Sequence, residues 1–168
     1  ICSDRVGRGV IVTSGRPLTD FPSVQDRLPE IKASTFVRGR RVLTSVVPLL
    51  SSVGCPYSCS FCVDWNNPYV LLPRERLRED LEFLGREYPG IHVAYHDPNF
   101  GVKFDDTLGV MESIPPERLS PYIMESSLSL LRGPRLPRLK ATRCVYIAPG
   151  IESWQDFSNK AGAGALTG

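Results

Sequence analysis

Apolar and polar positions fall into blocks along this chain, and the period changes from block to block. Val42–Val53 is a run apolar enough to be a strand buried on both faces, as strands of parallel sheets are. Over Pro73–Tyr88 the period becomes helical: Leu77, Leu81, Leu84 and Tyr88 recur at spacings of four, three and four, which makes one apolar stripe. Pro73 suits the first turn of that helix and Pro89-Gly90 stops it. Arg76 with Asp80, Arg78 with Glu82 and Glu82 with Arg86 form four-residue pairs on its wet side. Ile91–His96 is a second strand. Phe104, Leu108 and Met111 suggest a short helix whose first turn carries Asp105 and Asp106, where the helix dipole favours acids. Pro121–Met124 is a third strand. Ser126–Leu139 is ambiguous, since Leu128, Leu130 and Leu131 suit a helix that Gly133, Pro134 and Pro137 keep short. Thr142–Ala148 is a fourth strand, and a further helix begins near Asp156.

Strands alternating with helices imply parallel strands joined by right-handed crossovers, hence an α/β fold, the class to which TIM-like (β/α) barrels belong. In such barrels functional residues gather at the carboxyl ends of strands. Those ends carry the segment after Val53, then His96-Asp97-Pro98-Asn99, Glu125-Ser126-Ser127 and Glu152-Ser153. Residues 1–41 hold scattered Gly, Pro, Arg and Asp, with strand-like stretches only at Gly9–Thr13 and Ile31–Val37 and turn-like ones at Leu18–Pro22 and Leu28-Pro29. They read as an arm or linker from a preceding domain, with the main domain over residues 42–168.

At 168 residues the chain can bury a sizeable core and fits one domain, or one domain plus an arm. A net charge of +2 calls for no nucleic-acid partner, and Arg38-Gly39-Arg40-Arg41 reads as a solvated edge. No apolar run approaches the roughly 18 residues that span a bilayer. Five cysteines, three of them clustered, suit a reducing cytoplasm better than an oxidising exterior. The chain begins at Ile1 rather than Met and stops in a Gly-Ala run, so it is expected to be a fragment of a longer protein.

The chemistry is concentrated in Gly54-Cys55-Pro56-Tyr57-Ser58-Cys59-Ser60-Phe61-Cys62. Three thiolates on one loop can face one metal centre, and a [4Fe–4S] cube normally takes four, so three leave one iron open. A structural zinc site would show separated cysteine pairs or cysteines with histidines, and a disulfide framework an even set in a secreted chain. Cys144 lies within a strand as an inert thiol by default, although an electron-transfer cluster could recruit it as a fourth ligand. Cys2 has no assigned role. His92 and His96 share a strand face, so a His–His–Asp97 metal site is imaginable, but a polar strand end is the plainer reading. Trp65 is as much a packing aromatic as a shield for a cluster.

The loop, of the form C-x-x-x-C-x-aromatic-C directly after a strand, resembles that of the radical S-adenosylmethionine (SAM) family. The resemblance runs from about Val42 to the chain's end and implies a partial barrel, about four strand–helix units of the family's usual six. It implies that Cys55, Cys59 and Cys62 hold the cube, that SAM chelates the open iron, and that Phe61 packs near the adenine. The reduced cluster would then cleave SAM to methionine and a 5′-deoxyadenosyl radical that abstracts hydrogen from a substrate the chain does not name. A flavodoxin- or ferredoxin-like electron donor is implied as partner. In place of the Gly-Gly-Glu-like turn of many members, this chain has Asp97-Pro98-Asn99-Phe100-Gly101. That turn and Gly150-Ile151-Glu152-Ser153 resemble the subgroup often preceded by a cobalamin-binding domain, which implies SAM contacts for Asp97, Asn99, Glu125 and Glu152. The cobalamin domain itself, with its Asp-x-His-x-x-Gly segment, is not in this chain, and methyl transfer with cobalamin is one outcome among several. The rival from another class is a non-catalytic iron–sulfur electron-transfer or zinc-binding module on the same cysteines.

Overall fold

The computed structural model describes residues 20–37, 40–41, 46–57, 59, 61–62, 67–128 and 132–150. Along the chain these form α1 (Leu28–Thr35), β1 (Phe36–Val37), β2 (Arg40–Arg41), β3 (Val46–Leu49), β4 (Ser52–Val53) and β5 (Val70–Leu71). There follow α2 (Arg74–Glu87), β6 (His92–Tyr95), α3 (Phe104–Glu112), a 3-10 turn (Pro116–Arg118), β7 (Tyr122–Ser126), α4 (Arg135–Ala141) and β8 (Cys144–Pro149). β3, β6, β7 and β8 make one sheet in that order, every pair parallel. The chain is therefore α/β, a run of strand–helix units, as the alternation of periods predicts.

Alternate strand residues decide which face is buried. Val47, Leu49, Val93, Tyr95, Tyr122 and Met124 join the apolar stripe of α2 and the buried side of α3 in one core. Tyr95 packs 4.8 Å from Phe100 and edge-on to Tyr122 at 5.4 Å, centroid to centroid. The opposite face runs through the register row Pro48, Ala94, Ile123 and Tyr146, with Pro48 and Tyr146 exposed. Pro48 is admissible because β3 ends the sheet order among the described residues, where one missing N–H interrupts no second ladder.

Several local expectations change. The run Val42–Val53 is not one strand: β3 ends at Leu49, and Ser52–Val53 turns away to pair antiparallel with Val70–Leu71 (residues 42–45 lie outside the described residues). Ile31–Val37, strand-like in sequence, is mostly the end of α1, because Pro29 falls in a helical first turn that has no use for its N–H. Pro137 is likewise within the first turn of α4, so the proline that shortens a helix on paper sits where a helix accepts it. On α2, Asp80 is buried and accepts the Val24 amide at 2.8 Å, so Arg76 pairs with Asp26 instead, while Arg86 turns to Glu87. Burial pushes the Asp80 carboxyl up, against the pull of the Val24 amide. Val24 and Ile31 enter the core, so the described part of the segment read as an arm packs against the sheet and α2. The Gly9–Thr13 strand and the helix near Asp156 lie outside the described residues.

Candidate functional site

Because the four strands are parallel, their carboxyl ends share one edge, and the chain stitches that edge with side chains. Beyond β3 and Leu50, Ser51 and Ser52 are 2% exposed and turn towards the end of β6. There the Asp97 carboxylate accepts the Ser51 amide at 2.8 Å on one oxygen. Its other oxygen accepts the Ser51 and Ser52 hydroxyls, each at 2.6 Å. Asp97 is 1% exposed; burial raises its carboxyl above the ordinary range, and the serine hydrogen bonds pull against that rise. Between β6 and β7, Asn99 Oδ1 accepts the Ser127 amide at 3.1 Å, the Ser126 hydroxyl reaches the Phe100 carbonyl at 2.7 Å, and the Phe100 amide donates to the Glu125 carbonyl. Between β7 and β8, the Gly150 amide donates to the Ser126 carbonyl.

The cysteine loop rises from this edge on a two-stranded neck. β4 and β5 pair across it, the Cys55 amide donates to the Asn67 carbonyl, and the Leu72 amide donates to the Ser51 carbonyl. Gly54 opens the loop at φ +68, and its α-carbon lies so close to the Asn67 and Pro68 carbonyls that a side chain has no room. Tyr69, on the returning strand, shares a hydrogen bond with the Ser52 side chain, and burial raises its phenol. Within the loop the Cys62 amide donates to the Cys59 carbonyl at 3.1 Å, a tight turn that holds Phe61 between two cysteines with 48% of its surface exposed.

Cys55, Cys59 and Cys62 are half-buried and outside any disulfide. Among the described residues, no set of three His, Cys, Asp or Glu side chains stands at metal-binding separation, so the three thiols share a loop without converging. Their chemistry still suits a thiophilic centre: three sulfur donors with no carboxylate among them, on a loop whose neck is fixed.

The other sequence candidates separate. Asp97 and Asn99 are brought to the strand ends as braces, buried and engaged; Phe100, in the same turn, is a core aromatic. Glu125 is exposed at the end of β7, and Glu152 lies outside the described residues, as does Trp65. His92 and His96 are both exposed, at either end of β6 with buried Ala94 between them. Cys144 pairs in register with Tyr122, at the amino end of β7. That is four residues, about 13 Å along a strand, from the edge that carries the loop. Sequence reasoning missed Ser51, Ser52 and Tyr69; the available signal was a pair of small polar residues ending an apolar run.

No helix among the described residues is long and apolar enough to cross a membrane. No protein-family model matches the chain, and no curated protein matches it. Among solved structures it is similar to the radical S-adenosylmethionine methyltransferase TsrM from Kitasatospora setae, solved with cobalamin and a [4Fe–4S] cluster bound. The two are 18% identical and align with a TM-score of 0.53 over 61% of this chain. The aligned part is 22% of the length of that protein, so this chain spans about a fifth of it. At that identity the likeness is one of fold: the two share a partial β/α architecture built on a parallel sheet.

Proposed function

We propose that this chain is part of a radical SAM enzyme domain, with Cys55, Cys59 and Cys62 as ligands of a [4Fe–4S] cluster. The observation that carries the reading is the Cys-x-x-x-Cys-x-Phe-Cys loop leaving the carboxyl edge of a parallel sheet whose fold is like that of TsrM. A cluster held by Cys55, Cys59 and Cys62 would supply the one-electron reduction of a bound SAM sulfonium from which radical chemistry on a substrate starts. The chain's own residues have simpler tasks. The β4–β5 neck presents the thiols at the edge, and the exposed Phe61 ring offers a flat apolar surface to an adenine. Glu125, exposed at the end of β7, and Glu152, two residues past Gly150, are the carboxylates we assign to SAM's polar groups. The electron would come from a flavodoxin- or ferredoxin-like donor. Methyl transfer with cobalamin held by another domain is the narrower form of the proposal, supported by the Asp97–Gly101 turn and by the cobalamin in TsrM.

An electron-transfer centre would need a fourth protein ligand, and Cys144 at the amino edge of the sheet is badly placed to give it. The decisive experiment is anaerobic reconstitution with iron and sulfide, followed by electron paramagnetic resonance of the reduced protein with and without SAM. A [4Fe–4S] signal that shifts with SAM and is lost in Cys59→Ala is expected. A signal indifferent to SAM would favour electron transfer, and stoichiometric zinc with no cluster would refute the proposal.

A further inference from the structure

Asp97 stands out because, among the described residues, so buried a carboxylate takes its hydrogen bonds from the hydroxyls and backbone amides of Ser51 and Ser52, with no basic group among them. Burying a carboxylate to 1% exposure is costly unless hydrogen bonds compensate it, and those bonds also secure structure around it. What they secure is the base of the cysteine loop. Ser51 directly precedes the loop's neck and Ser52 is its first residue, and each also holds the returning chain. The Ser51 carbonyl receives the Leu72 amide, Ser52 pairs in register with Leu71, and the Ser52 side chain meets Tyr69. One carboxylate just past β6 thus fixes both strands of the neck, 45 and 46 residues away in sequence from the serines it binds.

We infer that Asp97 is a positioning residue for the cysteine loop: it clamps the Ser51–Ser52 corner, so that the β4–β5 neck and the three thiols above it are held in one place relative to the sheet. The inference deepens the proposed function, on which it rests only for the purpose of that placement. The clamp itself is a property of the chain with or without a cluster. It also gives Asp97 a part other than touching SAM, since both its oxygens are occupied from within.

The test is amide hydrogen exchange and site-resolved iodoacetamide labelling on the 168-residue chain, before iron and sulfide are added. In Asp97→Asn, the Cys55 and Leu72 amides and the three loop thiols are expected to react about 5- to 30-fold faster. The Leu84 amide and the Cys144 thiol should keep their rates. Ser52→Ala removes one hydroxyl donor and leaves Asp97 in place, so it should give the same pattern at smaller size. Unchanged neck and thiol rates in a folded Asp97→Asn overturn the inference. So does acceleration spread evenly over the whole chain, or loss of the helical signal in both variants, which would assign Asp97 to global stability. Reconstitution of the unaltered chain afterwards tests the cluster alone, so a protein that shows the clamp but takes up no cluster would sink the proposed function and leave the clamp standing.

Discussion

Three glycines separate two reasons why a loop neck or a helix contact needs that residue. Gly54 has φ +68 and would also drive a β-carbon into the Pro68 carbonyl, with 2.7 Å to the Asn67 oxygen. Gly90 has φ +78 and nothing within 4 Å of the same position. Gly85 lies inside α2 with ordinary helical geometry, but a β-carbon there would overlap the Arg118 carbonyl and lie 2.9 Å from its carbon. Gly90→Ala therefore measures the left-handed backbone alone, about 1–2 kcal/mol, less the roughly 0.4–1 kcal/mol gained by stiffening the unfolded chain. Gly54→Ala carries the same backbone cost plus an overlap with backbone atoms, which have no rotamer to escape into. Its total is capped by the free energy of opening the β4–β5 neck, since the loop can detach before the sheet does. We expect Gly54→Ala to cost about 1–2 kcal/mol more than Gly90→Ala, with the excess appearing as neck opening. Gly85→Ala should lose stability although alanine is the better helix former by about 1 kcal/mol, because the Arg118 contact outweighs propensity. Urea unfolding followed by circular dichroism gives the three values, and hydrogen exchange at Cys55 and Leu72 locates the excess. Equal midpoints for the Gly54 and Gly90 variants would refute the close approach at the neck, and a stabilised Gly85→Ala would refute the contact with the 3-10 turn.

Two further outcomes follow from side chains away from the loop. Burial pushes the Cys144 thiol up to about 11 from an ordinary 9.0, so its labelling rate should still be climbing above pH 9; a plateau near 9 would contradict the burial. The stability that goes with the neutral Cys144 thiol is complete below pH 9.0 and is lost as pH rises through about 11. Arg138 on α4 grips both Glu112 oxygens, at 2.6 and 2.8 Å, and reaches Asp105 at 2.5 Å, so it ties α4 to both ends of α3. Arg138→Lys keeps the charge and loses the fork; with the side chain one-third exposed, the cost should be no more than roughly 1 kcal/mol in a denaturation midpoint, and smaller in high salt.

Much of the fold was legible because its signals are local. The stripe Leu77, Leu81, Leu84 is a property of eight consecutive residues, and the structure buries all three on α2. The parallel order needs only the alternation of periods. Where reading failed, a long-range partner had decided the outcome. Asp80 looks like a wet-side helix residue until Val24, 56 residues earlier, presents an unpaired amide to it. Val42–Val53 reads as one strand until Asp97 takes the Ser51 amide and ends the run after Leu49. Prolines misled for the opposite reason: Pro29 and Pro137 are helix breakers only beyond the first turn, and boundaries cannot be set that finely from composition.

The candidate site divides along the same line. The cysteines, the aromatic between them and the strand before them are one short segment, so spacing alone pointed to a thiophilic centre. The acidic turn Asp97–Gly101 was also found from sequence, yet the structure gives it a different relation to that centre. Its aspartate and asparagine are turned inward to neighbouring strand ends, and its Phe100 is fully buried beside Tyr95 and Tyr122. A ligand-facing carboxylate and a carboxylate that holds the ligand-bearing loop have the same signature in sequence: an acid at the end of a parallel strand. Only the direction of its hydrogen bonds tells them apart, and here, among the described residues, they run to Ser51 and Ser52. The outward-facing acid on this edge among the described residues is Glu125, one strand further along. Under the proposed function, Glu125 and Glu152 are the carboxylates assigned to a SAM-like ligand, and Asp97 is the one assigned to the placing of the cysteines.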